Sequence, residues 1–353
     1  MALPDRLPES RVPDPRAAPR LRWGVIGTGW IADRFVRALQ QHTDQSVVAA
    51  AARNAERAAT FASEHGLERS YDTPEQLVSA PNLDVIYVAT THPAHLPMAL
   101  LSLEAGKHTV VEKPLGINAR EAAQIADAAR QADVLCMEAL WTLFLPKFDV
   151  IRQILDSGLL GDIRSVQADH GEWFAEDHRI MDAAQAGGPM LDLGTYPVSF
   201  ATWVLGPPVR VQAAGQSHRT AGNGQAAAIL TTADDRLAVL HTTMLGNTPT
   251  RASVIGTEAT LEIDGPFYQP GSFAVRSSDG TGVLEYREPA IGHAALHFEA
   301  AEAARCIAAG ATESLIRPPA DSITTLEVMD EIRRQLGIRY PTEAESGLTT
   351  TRA

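Results

Sequence analysis

One stretch near the start, residues 22–32, R-W-G-V-I-G-T-G-W-I-A, constrains the fold of this chain more than any other. A short apolar run leads into Gly27-x-Gly29-x-x-Ala32, and apolar residues then recur at helical spacing at Ile31, Phe35, Ala38 and Leu39. That order predicts a strand, a tight turn and a helix. Glycine at the first position allows a turn that a side chain would forbid, and glycine at the second lets a pyrophosphate approach the backbone; the small third residue permits close helix–strand packing. The helix start then offers unpaired N–H groups to phosphate. Gly27, Thr28, Gly29, Trp30 and Ile31 are therefore candidate cofactor-binding residues.

The residues downstream repeat the alternation. Residues 46–52 read as a second strand and 55–65 as a helix closed by Gly66. Thr73-Pro74-Glu75-Gln76 opens another helix, with Thr73 as cap, Pro74 at the first helical position and Gln76 able to return a bond to the cap. D-V-I-Y-V-A-T at 84–90 is the clearest buried strand, a helix over 94–105 ends at Gly106, and 108–113 is the next strand. Asn118 and Glu121 form a further capping pair, for a helix to Ala132, before a strand at 134–140. Such alternation predicts a doubly wound parallel sheet, because right-handed crossovers leave few other arrangements.

At 353 residues the chain exceeds one ordinary core, so about two domains are expected. Past Trp141 the pattern changes. A helix over 148–157 ends at Gly158, and β-like runs follow at 163–169, 209–213, 226–232, 237–244, 252–255 and 260–263. Turn residues such as Asp234-Asp235 and Gly256 separate them, which predicts an open, mostly antiparallel sheet. The expected organisation is a Rossmann domain over 21–141 and an α+β substrate-binding and oligomerisation domain over 142–340. Two late helices, 294–309 and 322–336, are free to pack on that sheet or to return to the first domain. Residues 1–20 carry Pro4, Pro8, Pro13, Pro15 and Pro19 and are expected to form a flexible arm able to lie on a partner subunit. Residues 341–353 are expected to be a frayed polar tail.

The formal net charge of -13 is spread without an acidic or basic block, which argues against nucleic acid or an anionic membrane as partner and favours a small molecule. No apolar run approaches the roughly 18 residues of a membrane span, and the first twenty residues lack the apolar core of a signal peptide; a cytoplasmic location is expected. Cys136 lies in a strand-like run and Cys306 in an alanine-rich helical run, so both read as buried reduced thiols. His293 and His297 are four apart on a helix but lack a third ligand, and no metal site is expected.

Two further stretches carry chemistry. V-V-E-K-P at 110–114 puts Glu112 and Lys113 at the carboxyl end of a parallel strand, where open α/β sheets bind ligands. G-G-P-M-L-D-L-G-T-Y at 187–196 opens a helix running to Leu205, in which Asp192 and Tyr196 share a face. Spacing alone leaves open whether they are catalytic or a helix-start charge and a core aromatic. The cofactor is read at the end of the second strand, where NAD-binding folds carry an acidic residue about 20 positions past the turn. Here no carboxylate lies between Asp44 and Glu56, and Arg53 stands where a 2′-phosphate would sit. A guanidinium can give that phosphate two charge-assisted bonds, so NADP is expected in preference to NAD.

Taken in order, Gly27-x-Gly29-x-x-Ala32, Glu112-Lys113-Pro114 and Gly187-Gly188-x-x-x-Asp192-x-Gly194-x-Tyr196 resemble the glucose-fructose oxidoreductase and inositol dehydrogenase family, Gfo/Idh/MocA. Tyr196, where many members have histidine, is similar to the branch of dimeric dihydrodiol dehydrogenase, D-xylose dehydrogenase and glucose-fructose oxidoreductase. Pro189 and Leu143 depart from the glycine and arginine common in that branch. The resemblance implies a second domain whose open sheet pairs through its outer face with another subunit, hence a homodimer or homotetramer. It also implies hydride transfer between a nicotinamide and a secondary alcohol or ketone of a sugar or related polyol. The competing substrate is an aromatic trans-dihydrodiol, and the competing class is a nucleotide-binding sensor without turnover. Tyr196 would take the hydroxyl proton; since a free tyrosine, at a pKa of about 10, is a weak base near neutrality, Lys113 is expected to supply the cation that favours its phenolate. Asp192 would orient the lysine or accept a bond from a neighbouring hydroxyl. Thr90, His92 and His95, in T-T-H-P-A-H, match family positions near the nicotinamide ribose. Trp141 and Arg179 are candidate substrate contacts.

Overall fold

Apolar runs buried on both faces make all but one edge strand of the first sheet of the computed structural model, which describes residues 3–345. Its strands are β1 (Arg22–Ile26), β2 (Ser46–Ala51), β3 (Arg69–Tyr71), β4 (Val85–Val88), β5 (His108–Glu112) and β6 (Cys136–Ala139). All pair in parallel in the order β3-β2-β1-β4-β5-β6. The strand order reverses between β1 and β4, and the crevice beyond their carboxyl ends is the ligand position of this topology. The crossovers are α1 (Trp30–His42), α2 (Ala55–His65), α3 (Pro74–Val78), α4 (His95–Glu104) and α5 (Ala119–Ala132).

Their ends follow from capping. Thr73 and Asn118 side chains accept from Gln76 N and Glu121 N, at 3.3 and 2.9 Å. The returning side chains reach one residue further back than expected: Gln76 Oε1 accepts from Asp72 N and Glu121 Oε2 from Ile117 N. Gly66 ends α2 in the left-handed region.

After α6 (Pro146–Asp156) come β7 (Ile163–Gly171), β8 (Arg210–Gln216), β9 (Gln225–Thr231), β10 (Leu237–Thr243), β11 (Ala252–Gly256), β12 (Ala259–Ile263), β13 (Ser272–Ser277) and β14 (Val283–Arg287). They form one sheet, β14-β13-β12-β11-β7-β10-β9-β8, antiparallel except for the β7–β10 pair. Alternation buries Val166, Leu240, Val254 and Leu261 and leaves Ile229, Leu237 and Val239 exposed on the outer face.

The single helix expected from residue 187 to Leu205 is broken. It forms α7 (Pro189–Asp192) and α8 (Thr195–Leu205), joined through Leu193 and Gly194. The chain packs so tightly at the joint that a Cβ on Gly194 would stand 2.6 Å from Met190 O. Asp192 and Tyr196 therefore do not share a helical face.

A 3₁₀ turn at Gly292–Leu296 precedes α9 (His297–Ala308), followed by α10 (Pro319–Leu336) and α11 (Pro341–Glu345). His293 and His297 thus fall on different elements: His293 stacks on Trp141 at 5.1 Å, and His297 on His42 at 4.7 Å. α9 packs on α1, while α10 lies across α5, α8 and β8, so both late helices tie the two sheets together. The seam includes the buried Arg317–Glu138 pair (2.8 Å) and Cys136 N donating to Thr312 O (3.2 Å).

The arm expected to be flexible lies on the chain's own body, because its polar groups find partners despite the prolines. Arg11 N and Nη2 donate to the Asp149 carboxylate at 2.6 and 2.8 Å, Gln153 donates to Glu9 O, and Ala18 packs with Ala301 and Ala304. Of the expected polar tail, Glu343 pairs with Arg333, and residues 346–353 lie outside the described residues. Cys136 is buried and Cys306 half-buried. Among the described residues no helix is long and apolar enough to cross a membrane.

Candidate active site

The turn after β1 builds the first cavity. Gly27 has φ +101°, and a Cβ there would stand 2.4 Å from Ala89 O, so the turn excludes any side chain. A Cβ on Gly29 would meet nothing within 4 Å; it would project into a cleft of about 800 Å³ that Gly27, Thr28, Gly29, Trp30 and Ile31 line. Among the described residues no side chain caps α1, so its first N–H groups stay open to an anionic acceptor. A dinucleotide pyrophosphate fits this cradle in shape and in charge. Arg53 lines the same cleft after β2, and among the described residues it bonds no partner. Arg57, which spacing did not single out, lies beside it and donates to Thr28 O at 3.5 Å. Glu75 is the carboxylate of this region. Thr90 Oγ1 and His92 Nδ1 are buried without hydrogen-bond partners among the described residues.

A second cavity, of about 460 Å³, shares Trp30, Ile31, Thr90, His178 and Arg179 with the first. In it Lys113 Nζ donates to Asp192 O at 2.8 Å and to Asp192 Oδ1 at 3.1 Å. The helix break frees that carbonyl, because Tyr196 N donates to Leu193 O and not to Asp192 O. Arg179 Nη2 donates to the other carboxylate oxygen at 2.8 Å. Burial alone would raise the Asp192 carboxyl, but Lys113 and Arg179 outweigh it and hold the group well below the usual carboxylate range.

Tyr196 is nearly buried. Its oxygen accepts from Trp141 Nε1 at 3.1 Å, and its ring stacks on Tyr268 at 4.2 Å. The Lys113 ammonium lies 5.0 Å from the ring centroid. Burial pushes the phenol well above its usual range, with Trp141 opposing. The ammonium expected to favour the Tyr196 phenolate bonds Asp192 and lies over the face of the Tyr196 ring, and among the described residues it makes no hydrogen bond to the phenol oxygen. Since the oxygen already accepts from Trp141, its own O–H is available to donate.

The sequence matches the oxidoreductase family with an NAD-binding Rossmann fold over residues 21–140 and the GFO/IDH/MocA C-terminal domain over 148–262. Trans-1,2-dihydrobenzene-1,2-diol dehydrogenase of Xenopus tropicalis is 33% identical over 327 residues, which is 91% of this chain and 99% of that protein. The chain belongs to the Gfo/Idh/MocA oxidoreductases. Among solved structures, KijD10, a 3-ketoreductase from Actinomadura kijaniata in complex with NADP and TDP-benzene, matches with a TM-score of 0.79 at 26% identity, covering 90% of this chain and 98% of that one. Levoglucosan dehydrogenase in complex with NADH and levoglucosan matches with a TM-score of 0.81 over 92% of this chain and all of that one; at 19% identity it shows the fold alone.

In this Gfo/Idh/MocA oxidoreductase, Lys113, Asp192, Tyr196, Trp141 and Arg179 meet in one cavity, and Arg53 stands apart with the glycine turn. Glu112 is buried, with its carboxyl accepting from Tyr87 OH and from Lys113 N (3.2 Å), so it anchors the lysine's backbone. Burial pushes it up to about 6. His95 is also buried: Nδ1 faces Pro114 O at 2.8 Å and Nε2 faces Thr90 O at 3.3 Å, so the ring pins the loops after β4 and β5, and burial lowers it to about 4. Sequence reasoning missed Arg57, His170, Glu172, Tyr268 and the cavity role of His293. They come from separate segments and meet only through tertiary packing; no spacing announces them.

Proposed function

We propose that this enzyme uses NADP to oxidise one secondary alcohol of a ring carrying vicinal hydroxyls, with trans-dihydrodiols as the substrate class. The observation that carries the proposal is the Lys113–Asp192–Tyr196 cluster, set in a cavity continuous with the dinucleotide cleft and walled by Trp141, Tyr268, His293 and Phe174. The aromatic walls suit a flat carbocycle, and the similarity to trans-1,2-dihydrobenzene-1,2-diol dehydrogenases supports the same class. The ionic groups Glu172 and Arg179 favour a second reading, a sugar ring.

Held by Gly27–Ile31 with its 2′-phosphate at Arg53 and Arg57, the nicotinamide cofactor would supply the hydride acceptor or donor. Tyr196 moves the proton at the substrate oxygen: its O–H is loaded to protonate a carbonyl, and Trp141 N–H stabilises the oxygen once that proton has gone. Lys113, held by Asp192, adds positive charge over the ring face. Oxidation needs the phenol oxygen to accept a proton and reduction needs it to give one, so oxidation quickens as pH rises and reduction does not. The exposed Ile229, Leu237 and Val239 mark the outer face of the second sheet for pairing with another copy, to be checked by light scattering on Val239→Lys.

The test is a panel of trans-dihydrodiols and sugars with NADP and NAD, followed by reduced-nicotinamide absorbance. Charge-assisted bonds of about 1.5–3 kcal/mol predict an NADP preference of roughly 10-fold to 100-fold in kcat/KM. Arg53→Ala should remove most of it by weakening NADP use alone. Equal use of both cofactors, or a preference that survives removal of both Arg53 and Arg57, refutes the assignment; oxidation of sugars and no dihydrodiol selects the second reading.

A further inference from the structure

Of the carboxylates that line the substrate cavity, Asp192 holds Lys113 and Glu112 accepts from Tyr87 and from the Lys113 backbone, which leaves Glu172. Its backbone is rigidly placed just past the end of β7. Glu172 N donates to Thr243 O at 3.1 Å, and the preceding Gly171 is so closely packed that a Cβ there would stand 2.5 Å from Thr248 and 3.0 Å from Gly246 O. Two donors converge on Oε1: His170 Nε2 at 2.9 Å and Tyr268 OH at 3.3 Å. Among the described residues nothing bonds Oε2, and the side chain is 43% exposed. One oxygen is spent on holding the carboxylate still and the other is free to face a ligand.

The holding pair is itself fixed. His170 is 1% exposed, and its Nδ1 lies 3.2 Å from Leu193 O, a carbonyl that can only accept. That nitrogen therefore donates. Nε2 faces a carboxylate oxygen, so both ring nitrogens of His170 point at acceptors. The bond from His170 holds the Glu172 carboxyl below the usual range, so at neutral pH it is an acceptor with no proton of its own. Tyr268, the second donor, is stacked on Tyr196 with an interplanar angle of 25°, and the His170 ring lies 5.4 Å from that of Tyr196. One aromatic stack thus carries the proton-transfer hydroxyl and positions the free carboxylate oxygen in the same cavity.

We infer that Glu172 accepts the second hydroxyl of the substrate through Oε2, oriented by His170 and Tyr268, and that this bond makes the enzyme select a vicinal diol over a mono-alcohol. The assignment rests on a ring alcohol reacting at Tyr196, as proposed above. A fixed anion also disfavours any substrate with a carboxylate at that carbon, which narrows the class to neutral, polyhydroxylated rings.

The test uses the intact protein loaded with NADP, with trans-1,2-cyclohexanediol and cyclohexanol as probes, read by calorimetry and by kcat/KM. Wild type should prefer the diol by roughly 10-fold to 100-fold, the value of a hydrogen bond to a charged group. Glu172→Gln should lose most of that factor on the diol and leave cyclohexanol unchanged; Glu172→Asp should keep part of it. Melting temperature and NADP affinity report that the variants fold. A preference that persists in Glu172→Gln, or an equal loss on both alcohols, overturns the inference. If wild type oxidises no ring alcohol at all, the proposed function fails, and the binding preference still decides this point: no tighter binding of the diol than of cyclohexanol overturns it.

Discussion

Replacing Asp192 with asparagine tests whether the lysine works from a fixed position. The carboxylate meets Lys113 at 3.1 Å and Arg179 at 2.8 Å, and its side chain is only 12% exposed. Removing one member of a buried ion pair costs about 3–5 kcal/mol, because the other charge stays buried and unpaired. Two features lower the figure here. Lys113 keeps its bond to the Asp192 backbone carbonyl, and Arg179, 40% exposed, can rehydrate. A net loss of about 1–3 kcal/mol follows, which for a chain of 353 residues is roughly 1–4 °C in melting temperature. If the same energy positions Lys113 in the transition state, kcat falls roughly 10-fold to 100-fold, while dinucleotide affinity stays put because Asp192 lies outside the dinucleotide cleft. The sign with pH is fixed. A carboxyl whose folded pKa is depressed stabilises above its unfolded value of about 3.9, and that contribution fades as pH falls. Calorimetric melts from neutrality downward should therefore show the gap between wild type and Asp192→Asn narrowing through this region. Equal melting temperatures with full kcat, or a gap that widens toward acid, would refute the reasoning.

Tyr196→Phe should reduce turnover by roughly 100-fold to 10,000-fold with cofactor binding intact, and near-normal turnover removes Tyr196 from the mechanism. Gly29→Ala should leave the melting temperature unchanged, since nothing lies within 4 Å of the new methyl, yet weaken dinucleotide binding in a fluorescence titration; unaltered affinity would mean that the cradle is not where the phosphates sit. For Glu112, raised by burial from 4.5 to about 6, the stabilising effect is fully present below the lower value and lost as pH rises through the upper one. The stability difference between wild type and Glu112→Gln should fall across that window, and a flat difference contradicts the assignment.

The parallel sheet was legible because its signals are local. Glycine at 27, cap residues at 73 and 118, and apolar runs such as Val85–Val88 each act within a few residues. β13 and β14 were missed because their outward positions carry Arg276, Glu285 and Arg287, which dilute the apolar alternation. β3 has three residues, none of them buried, and so leaves no pattern. Lys113, Asp192 and Tyr196 could be named from their motifs, but their relation could not: the break between α7 and α8 arises from packing around Met190, and it redirects the lysine to Asp192. The stack of Tyr268 on Tyr196 joins residues with no common periodicity.

The seam along β6 has a consequence for how the molecule is made. β6 is the edge of the parallel sheet, and its outer margin is completed by Thr312, Arg317 and Ser322, with Arg317 lying 179 residues after its partner Glu138. While the chain emerges from the ribosome, this strand waits with an open edge and a carboxylate lacking its countercharge. Open edges recruit foreign strands, so that interval is when misassembly threatens most. The segment that carries no part of the chemistry is then the one that ends the exposure. In a refolding experiment followed by hydrogen exchange, the Cys136 amide should gain protection only when α10 docks, after the amides of β1 and β4 are already shielded.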